Sequence, residues 1–273
     1  MHYLTNVIFT ANDNKMLKEH VELERALGVE SFLIFDGTNF PPYPRDIFRG
    51  QNDVEIVETK LDTNHTMHTH FTEAAIYLED NTRWIIYNDT DEILIPNRTN
   101  DLREMMEFYE DCSQVCFCWL VFGSNFHEKE PIIPTFDAYT RRAPNDNWIN
   151  GSIKSVSNPK EIISVSCSHF ANMKEGCIQQ VNEYKEPISG LFSNRDPISG
   201  VFNDRATHDI GWIAHYRERS REHYETVRGT RKIRCDDNTP FPEGKYPAQW
   251  NNNNNEIVDF RVRDLYRKLV LKS

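Results

Sequence analysis

Residues 83–96, RWIIYNDTDEILIP, set three carboxylates, Asp89, Asp91 and Glu92, between two apolar runs, Trp84-Ile-Ile-Tyr87 and Ile93-Leu-Ile95. An unpartnered buried carboxylate is costly, and its usual fates are a raised pKa, a cationic partner or a metal ion. If the first run is a strand, the carboxylates stand at its carboxyl end, where open α/β sheets bind their ligands. The flanking segments decide whether there is such a sheet.

Upstream, strand and helix alternate. Val7-Ile-Phe-Thr10 reads as a short buried strand, Asn12-Asp-Asn14 offers helix caps, and Met16, His20, Leu23 and Leu27 recur at helical spacing until Gly28 stops the helix. A second strand, Ser31-Phe-Leu-Ile-Phe35, ends at Asp36-Gly37, and a third starts at Val54 beyond the FPPYP loop. Phe71, Ala74, Ala75 and Leu78 mark one helix face before the strand that opens the quoted segment. This pattern predicts an α/β fold with a doubly wound, Rossmann-like and mostly parallel central sheet flanked by helices. Thr10, Ala11, Asn12, Asp36 and the cluster at 89–92 all follow apolar strands, so they are expected to share one edge.

The second half is less regular. Leu102, Met105, Met106 and Tyr109 form a helical stripe, residues 115–122 a fully apolar strand, and Ile163, Val165, Cys167 and His169 are expected on one face of another. A helix is expected from the cap Ser220 to Gly229, and a last one carrying Val262, Leu265, Tyr266 and Leu269. EPISGLFSNR followed by DPISGVFNDR is a tandem repeat too short for a solenoid and reads as paired turn-and-strand loops. Asn251 to Asn255 read as a polar linker. The expected division is one domain over 1–235, with a nucleotide-binding half (1–96) and an acceptor half (97–235), then a linker and C-terminal helix over 236–273.

A net charge of −11 argues against a nucleic-acid binder, since a phosphate backbone would meet a repulsive field. No apolar run is long enough to span a bilayer, and MHYLTNVIFTAND lacks a signal-peptide pattern, so a cytoplasmic location is expected. A membrane surface enters only if the acceptor is lipid-linked. Cys112, Cys116 and Cys118 cluster, two of them inside an apolar run, and read as reduced core thiols.

Asp89-x-Asp91 at a strand end can aim two carboxylates at one divalent ion. Hard oxygen ligands suit Mg²⁺ or Mn²⁺, and Mg²⁺ is usually held by one or two carboxylates plus substrate phosphates. A phosphate-bearing ligand is therefore expected. His215, ending the apolar GWIAH segment, joins as a third ligand only if the chain returns to that edge.

Five segments together resemble one family: ALGVESFLIFDG, WIIYNDTDEILIP, WLVFGSNFH, IKSVSNP and IAHYRERSREHYETVRG, in family order between residues 5 and 235. They are similar to the family-2-like and family-92 (domain of unknown function 23) glycosyltransferases with a GT-A fold. The resemblance implies that Asp89 and Asp91 are the metal-binding Asp-x-Asp, with Asp91 the direct ligand and Asp89 on ribose or metal. It implies that His215 is the C-terminal metal or diphosphate ligand, that Asp36 meets base or ribose, that Thr10, Ala11 and Asn12 lie beneath the base, and that Lys154 faces the diphosphate or pairs with a carboxylate. Trp119, Ser124 and His127 would lie toward sugar and acceptor, while Glu92 orients the turn or binds an acceptor hydroxyl. Two departures stand out: Ser124-Asn-Phe-His127 replaces the frequent Ser-x-Gly-His, and Ala11-Asn-Asp-Asn14 replaces the common Lys-Asn-Glu.

The function implied is a metal-dependent transferase moving a sugar from a uridine diphosphate sugar to a glycan or glycolipid hydroxyl, with inversion. Direct displacement needs a carboxylate to accept the hydroxyl proton. Glu128, Asp209 and Asp137, in the second half, are the candidates. Two other classes remain. A catalytically inert GT-A domain would bind nucleotide sugar or glycan, without needing a charge-stabilising ion. A phosphoesterase would show further His and Asp ligands for a second metal.

Overall fold

The computed structural model describes residues 1–59, 66–167, 169–177, 181–188, 206–228 and 254–272. Its strands are β1 (His2–Thr10), β2 (Ser31–Asp36), β3 (Val54–Glu58), β4 (Thr82–Asp89), β5 (Glu92–Pro96), β6 (Gln114–Val121), β7 (Arg141–Arg142), β8 (Ile153–Ser157), β9 (Ile162–Cys167), β10 (Phe170–Met173), β11 (Gly211–His215) and β12 (Ile257–Val258). Its helices are α1 (Asn14–Ala26), α2 (Pro44–Ile47), α3 (Met67–Leu78), α4 (Leu102–Glu107), α5 (Thr135–Ala138), α6 (Arg221–His223) and α7 (Arg261–Leu269).

Eight strands form one sheet in the order β3-β2-β1-β4-β8-β6-β11-β5. The first four run parallel, as expected for strands joined through helices. β8 then runs antiparallel to both β4 and β6, and β5 antiparallel to β11, which makes the sheet mixed. The chain leaves β4 at Asp89 and starts β5 at Glu92, yet three strands separate the two in the sheet. A link of two residues cannot cross that width in a flat sheet, since strands lie about 4.8 Å apart. The sheet therefore curls, and the carboxylate turn sits at the mouth of the curl.

Both faces of β1, β2 and β4 are covered, which is why these strands read as nearly continuous apolar runs, while the edge strand β3 keeps one face exposed. Leu4, Ile8, Trp84 and Ile86 pack against Met16, Leu17 and Val21 of α1, while Val7, Phe9, Ile85 and Tyr87 pack against Phe71, Ala74, Ala75 and Leu78 of α3. α1 ends as the sequence indicates: Gly28 has φ 98°, and a Cβ there would lie 2.4 Å from Asp101 Oδ1. Val262 and Tyr266 of α7 enter the main core beside Phe136, and β12 pairs with β7. Asn254 and Asn255, at the end of the expected linker, are buried and hydrogen-bonded.

One strand differs from expectation. Ile163 is 60% exposed, while its neighbour Ile162 and Val165 are buried. Irregular register between β9 and β10 breaks the strict alternation on which the expected face rested. The helix after the cap Ser220 runs as expected through the last described residue before Gly229, but only α6 is α-helical and Tyr224–Arg228 continue it as a π turn. Gly229 and the repeat from residue 189 to 205 lie outside the described residues.

Candidate active site

The register brings the early candidates to one edge. Thr10 pairs with Asp36 across β1 and β2, and Phe9 with Asp89 across β1 and β4. Thr10 and Asp36 are buried, and the Asp36 carboxylate accepts the Thr38 N–H at 2.8 Å, closing a local turn. Asn12 takes a left-handed backbone, φ 63°, and its side-chain oxygen accepts the Asn39 N–H at 2.9 Å. Ala11 packs beside it against the α3-side core. The β1–α1 and β2–α2 loops are thereby stapled together.

The second half returns to the same edge. His215 pairs with Glu92 in the β11–β5 register and with Val121 in β11–β6. Its Nε2 lies 3.7 Å from Asp91 Oδ2 and its Nδ1 3.9 Å from Glu92 Oε1. Trp119 meets the imidazole edge to face, ring centroids 4.2 Å apart at 71°. Lys154, the second residue of β8, beside β4, is fully buried, with Nζ 2.8 Å from Glu92 Oε2 and 3.3 Å from Asp89 Oδ2. Glu92 Oε2 also accepts the Asp89 N–H at 3.0 Å.

The charges answer the question posed by residues 83–96. Burial pushes the Glu92 carboxyl above its usual range, Lys154 draws it back, and Asp89 and Asp91 add to the push. Burial opposes the Lys154 charge, but Asp89 and Glu92 outweigh it and hold the ammonium above its usual range. Lys154 is thus the cationic partner of Glu92 and Asp89. Burial, with Lys154 close by, lowers His169 to about 3, so this ring is neutral as it donates from Nδ1 to the Ile153 carbonyl at 2.7 Å.

Asp91 and His215 are the side chains that approach each other at this edge, Nε2 to Oδ2. Among the described residues no group of three His, Cys, Asp or Glu side chains is already gathered at a metal-sized spacing. A pair with the half-exposed Asp89 alongside still suits a divalent ion that takes its remaining ligands from substrate phosphates.

The loop after β6 carries Ser124 and His127, and both fasten it. Ser124 Oγ accepts the Phe126 N–H at 3.0 Å, and His127 Nε2 donates to the Ala138 carbonyl at 3.1 Å. Asn125 and Phe126 have φ 49° and 62°. Phe126 stands where the family pattern has glycine, so the left-handed turn persists without it. A Cβ on Gly123 would lie 2.4 Å from the Asn254 carbonyl oxygen, so the loop also packs directly on the C-terminal segment.

The three carboxylates proposed as bases have separate fates. Glu128 is exposed on this loop, its Oε2 3.8 Å from Arg221 Nη1. Asp137 on α5 is paired with Arg267 of α7 at 2.6 Å. Asp209 precedes the amino end of β11 and hydrogen-bonds Tyr184; six extended residues put it about 20 Å from His215. The structure does not bring Asp209 to the edge that holds Asp91.

Three charged or polar residues there were not anticipated. Arg219, buried with φ 46°, pairs with Asp13 at the start of α1 and contacts His223. His20 and Glu24, both fully buried, lie under the Asp89–Asp91 turn. Their signal in the sequence is a histidine and a carboxylate four residues apart on the stripe that otherwise carries Met16, Leu23 and Leu27.

Comparison with curated proteins gave no match. Among solved structures, the chain is similar to 4-diphosphocytidyl-2C-methyl-D-erythritol synthase from Anaerococcus prevotii DSM 20548, at 10% identity over 58% of this chain and 72% of that one, with a TM-score of 0.33. That likeness is too low to bear on fold or function. The family model for glycosyltransferase family 92 matches residues 4–269, which takes in α7 as well as the five segments that end near residue 235. With that match over nearly the whole chain, the protein belongs to glycosyltransferase family 92.

Proposed function

We propose that the protein is a metal-dependent GT-A glycosyltransferase, moving a sugar from a uridine diphosphate sugar to a glycan or glycolipid hydroxyl with inversion at the anomeric carbon. The observation that carries the reading is the approach of His215 to Asp91, at 3.7 Å, beside a turn whose other carboxylates are engaged by Lys154. Asp91 and His215, with Asp89, are suited to hold Mn²⁺ or Mg²⁺, which when bound supplies counter-charge to a diphosphate leaving group.

The chain's own groups do the rest. Thr10, Ala11, Asn12 and Asp36 form the floor for base and ribose at the carboxyl ends of β1 and β2. Lys154 and Glu92 hold Asp89 at the rim. Trp119 walls the sugar side and limits rotation of the His215 ring. Glu128, exposed on the loop after β6, takes the proton of the acceptor hydroxyl as that oxygen attacks. Among the described residues no helix is long and apolar enough to cross a membrane.

Two measurements test this reading: thermal stabilisation by Mn²⁺ with UDP, and slow hydrolysis of a panel of nucleotide sugars. Stabilisation with hydrolysis of one donor is expected. Stabilisation without turnover of any donor would favour an inert binding domain, and no stabilisation would refute the donor site.

A further inference from the structure

We propose that His20 and Glu24, on the buried face of α1, are positioning residues that set the conformation of the Asp89–Thr90–Asp91 turn and thereby aim Asp91. This rests on the donor-site reading above.

The geometry is specific. His20 Nδ1 lies 3.0 Å from the Thr90 carbonyl oxygen. A carbonyl can only accept, so Nδ1 carries the proton and the tautomer is fixed from that side. Nε2 then faces Asn6 Nδ2 at 3.2 Å and Glu24 Oε2 at 3.3 Å. Asn6 Nδ2 also contacts Glu24 Oε2. The other Glu24 oxygen accepts from Asn88 Nδ2 at 3.3 Å and from the Leu94 N–H at 3.1 Å.

These contacts bracket the turn. Asn88 lies immediately before Asp89, Thr90 lies between the two aspartates, and Leu94 lies in the strand that follows. His20 fixes the peptide plane between Thr90 and Asp91, which sets the direction of the Asp91 side chain. The remaining handles agree: Thr90 Oγ1 donates to the Phe9 carbonyl at 3.2 Å, and the Asp91 carbonyl accepts the Tyr216 N–H at 2.8 Å. An imidazole and a carboxylate in a helix stripe where leucine would pack cost desolvation energy that apolar residues would not. Groups that orient a metal-binding side chain commonly account for such polar burial.

The test uses two substitutions that differ in where the amide nitrogen falls. His20→Asn puts it on Cγ, as Nδ1 is; His20→Gln puts it one bond further, near Nε2. Wild type is titrated first with Mn²⁺ and UDP, following thermal stabilisation. The apparent dissociation constant is expected to stay within about threefold for His20→Asn and to rise about 10–100-fold for His20→Gln, the usual range for losing such a partner. Equal weakening of both, or wild-type binding by His20→Gln, overturns the proposal. A purely structural role would lower the ligand-free melting temperature of both without separating their affinities.

A second measurement needs no variant. Long-range ¹H–¹⁵N spectra of the wild-type histidine rings should assign a protonated Nδ1, slow to exchange, to His20; an unprotonated Nδ1 overturns the proposal even if neither variant folds. If wild type itself is not stabilised by Mn²⁺ with UDP, the donor-site reading fails, while the ring spectrum still decides whether His20 holds the turn.

Discussion

His215 Nε2 stands 3.7 Å from Asp91 Oδ2, held there because His215 and Glu92 are paired across β11 and β5. A ligand present at 100 times its dissociation constant stabilises a protein by about 2.7 kcal/mol, roughly 5–10 °C for a domain of this size. Mn²⁺ with UDP should give a shift of that order in wild type. Asp91→Asn should remove nearly all of it, and Asp89→Asn only part. Differential scanning fluorimetry reads the difference.

Lys154 is fully buried between Glu92 and Asp89. Removing one partner of a buried ion pair leaves an uncompensated charge, typically at a cost of about 3–5 kcal/mol. Lys154→Met should destabilise by that order in urea melts. Combining it with Glu92→Gln should recover part of the loss, which simple loss of packing at residue 154 would not allow.

Asp259 accepts from Arg142 at 2.6 Å and from Arg261, and these contacts overcome burial to lower its carboxyl from 3.8 to about 2. Because the folded value lies below the unfolded one, the stabilisation is present above about pH 4 and is lost as pH falls toward 2. The shift corresponds to about 2 kcal/mol. The stability gap between wild type and Asp259→Asn should therefore narrow over that window in denaturant melts.

Phe126 holds a left-handed backbone while its side chain is 61% exposed. Such a conformation costs a non-glycine residue about 1–2 kcal/mol, close to what glycine loses through chain entropy. Phe126→Gly should leave the melting temperature near or above wild type. Phe126→Val, with a branched Cβ, should lower stability by about 1 kcal/mol or more.

Glu128 and Asp209 separate the possible bases by position. Glu128→Gln should reduce transfer by about 10²–10⁴-fold, the usual contribution of general base catalysis. Asp209→Asn, altered at the opposite end of β11, should change kcat/KM by less than about threefold. The reverse order of effects would move the base elsewhere.

Much of the parallel half was legible in the sequence because its signals are local. Alternating apolar runs, the Gly28 stop and the stripe at Phe71, Ala74, Ala75 and Leu78 depend on neighbours a few residues away. Ile163 was misread because a register irregularity in a paired strand leaves no mark on the strand's own residues. His20 was read as core, correctly for burial and incompletely for role, since its acceptor, Thr90, lies on a distant strand end.

The sequence by itself determined that residues 83–96 end one strand and start another, with carboxylates between, because apolar periodicity and turn chemistry act over a few residues. Tertiary structure decided what each carboxylate does. The curl of the sheet, forced by a two-residue link between strands that three others separate, brings Glu92 of β5 to Lys154 of β8, which already neighbours Asp89 of β4, while pairing of β11 with β5 sets His215 beside Asp91. Charge compensation depends on distance in space, and distance in space is set by strand order, which no local pattern encodes.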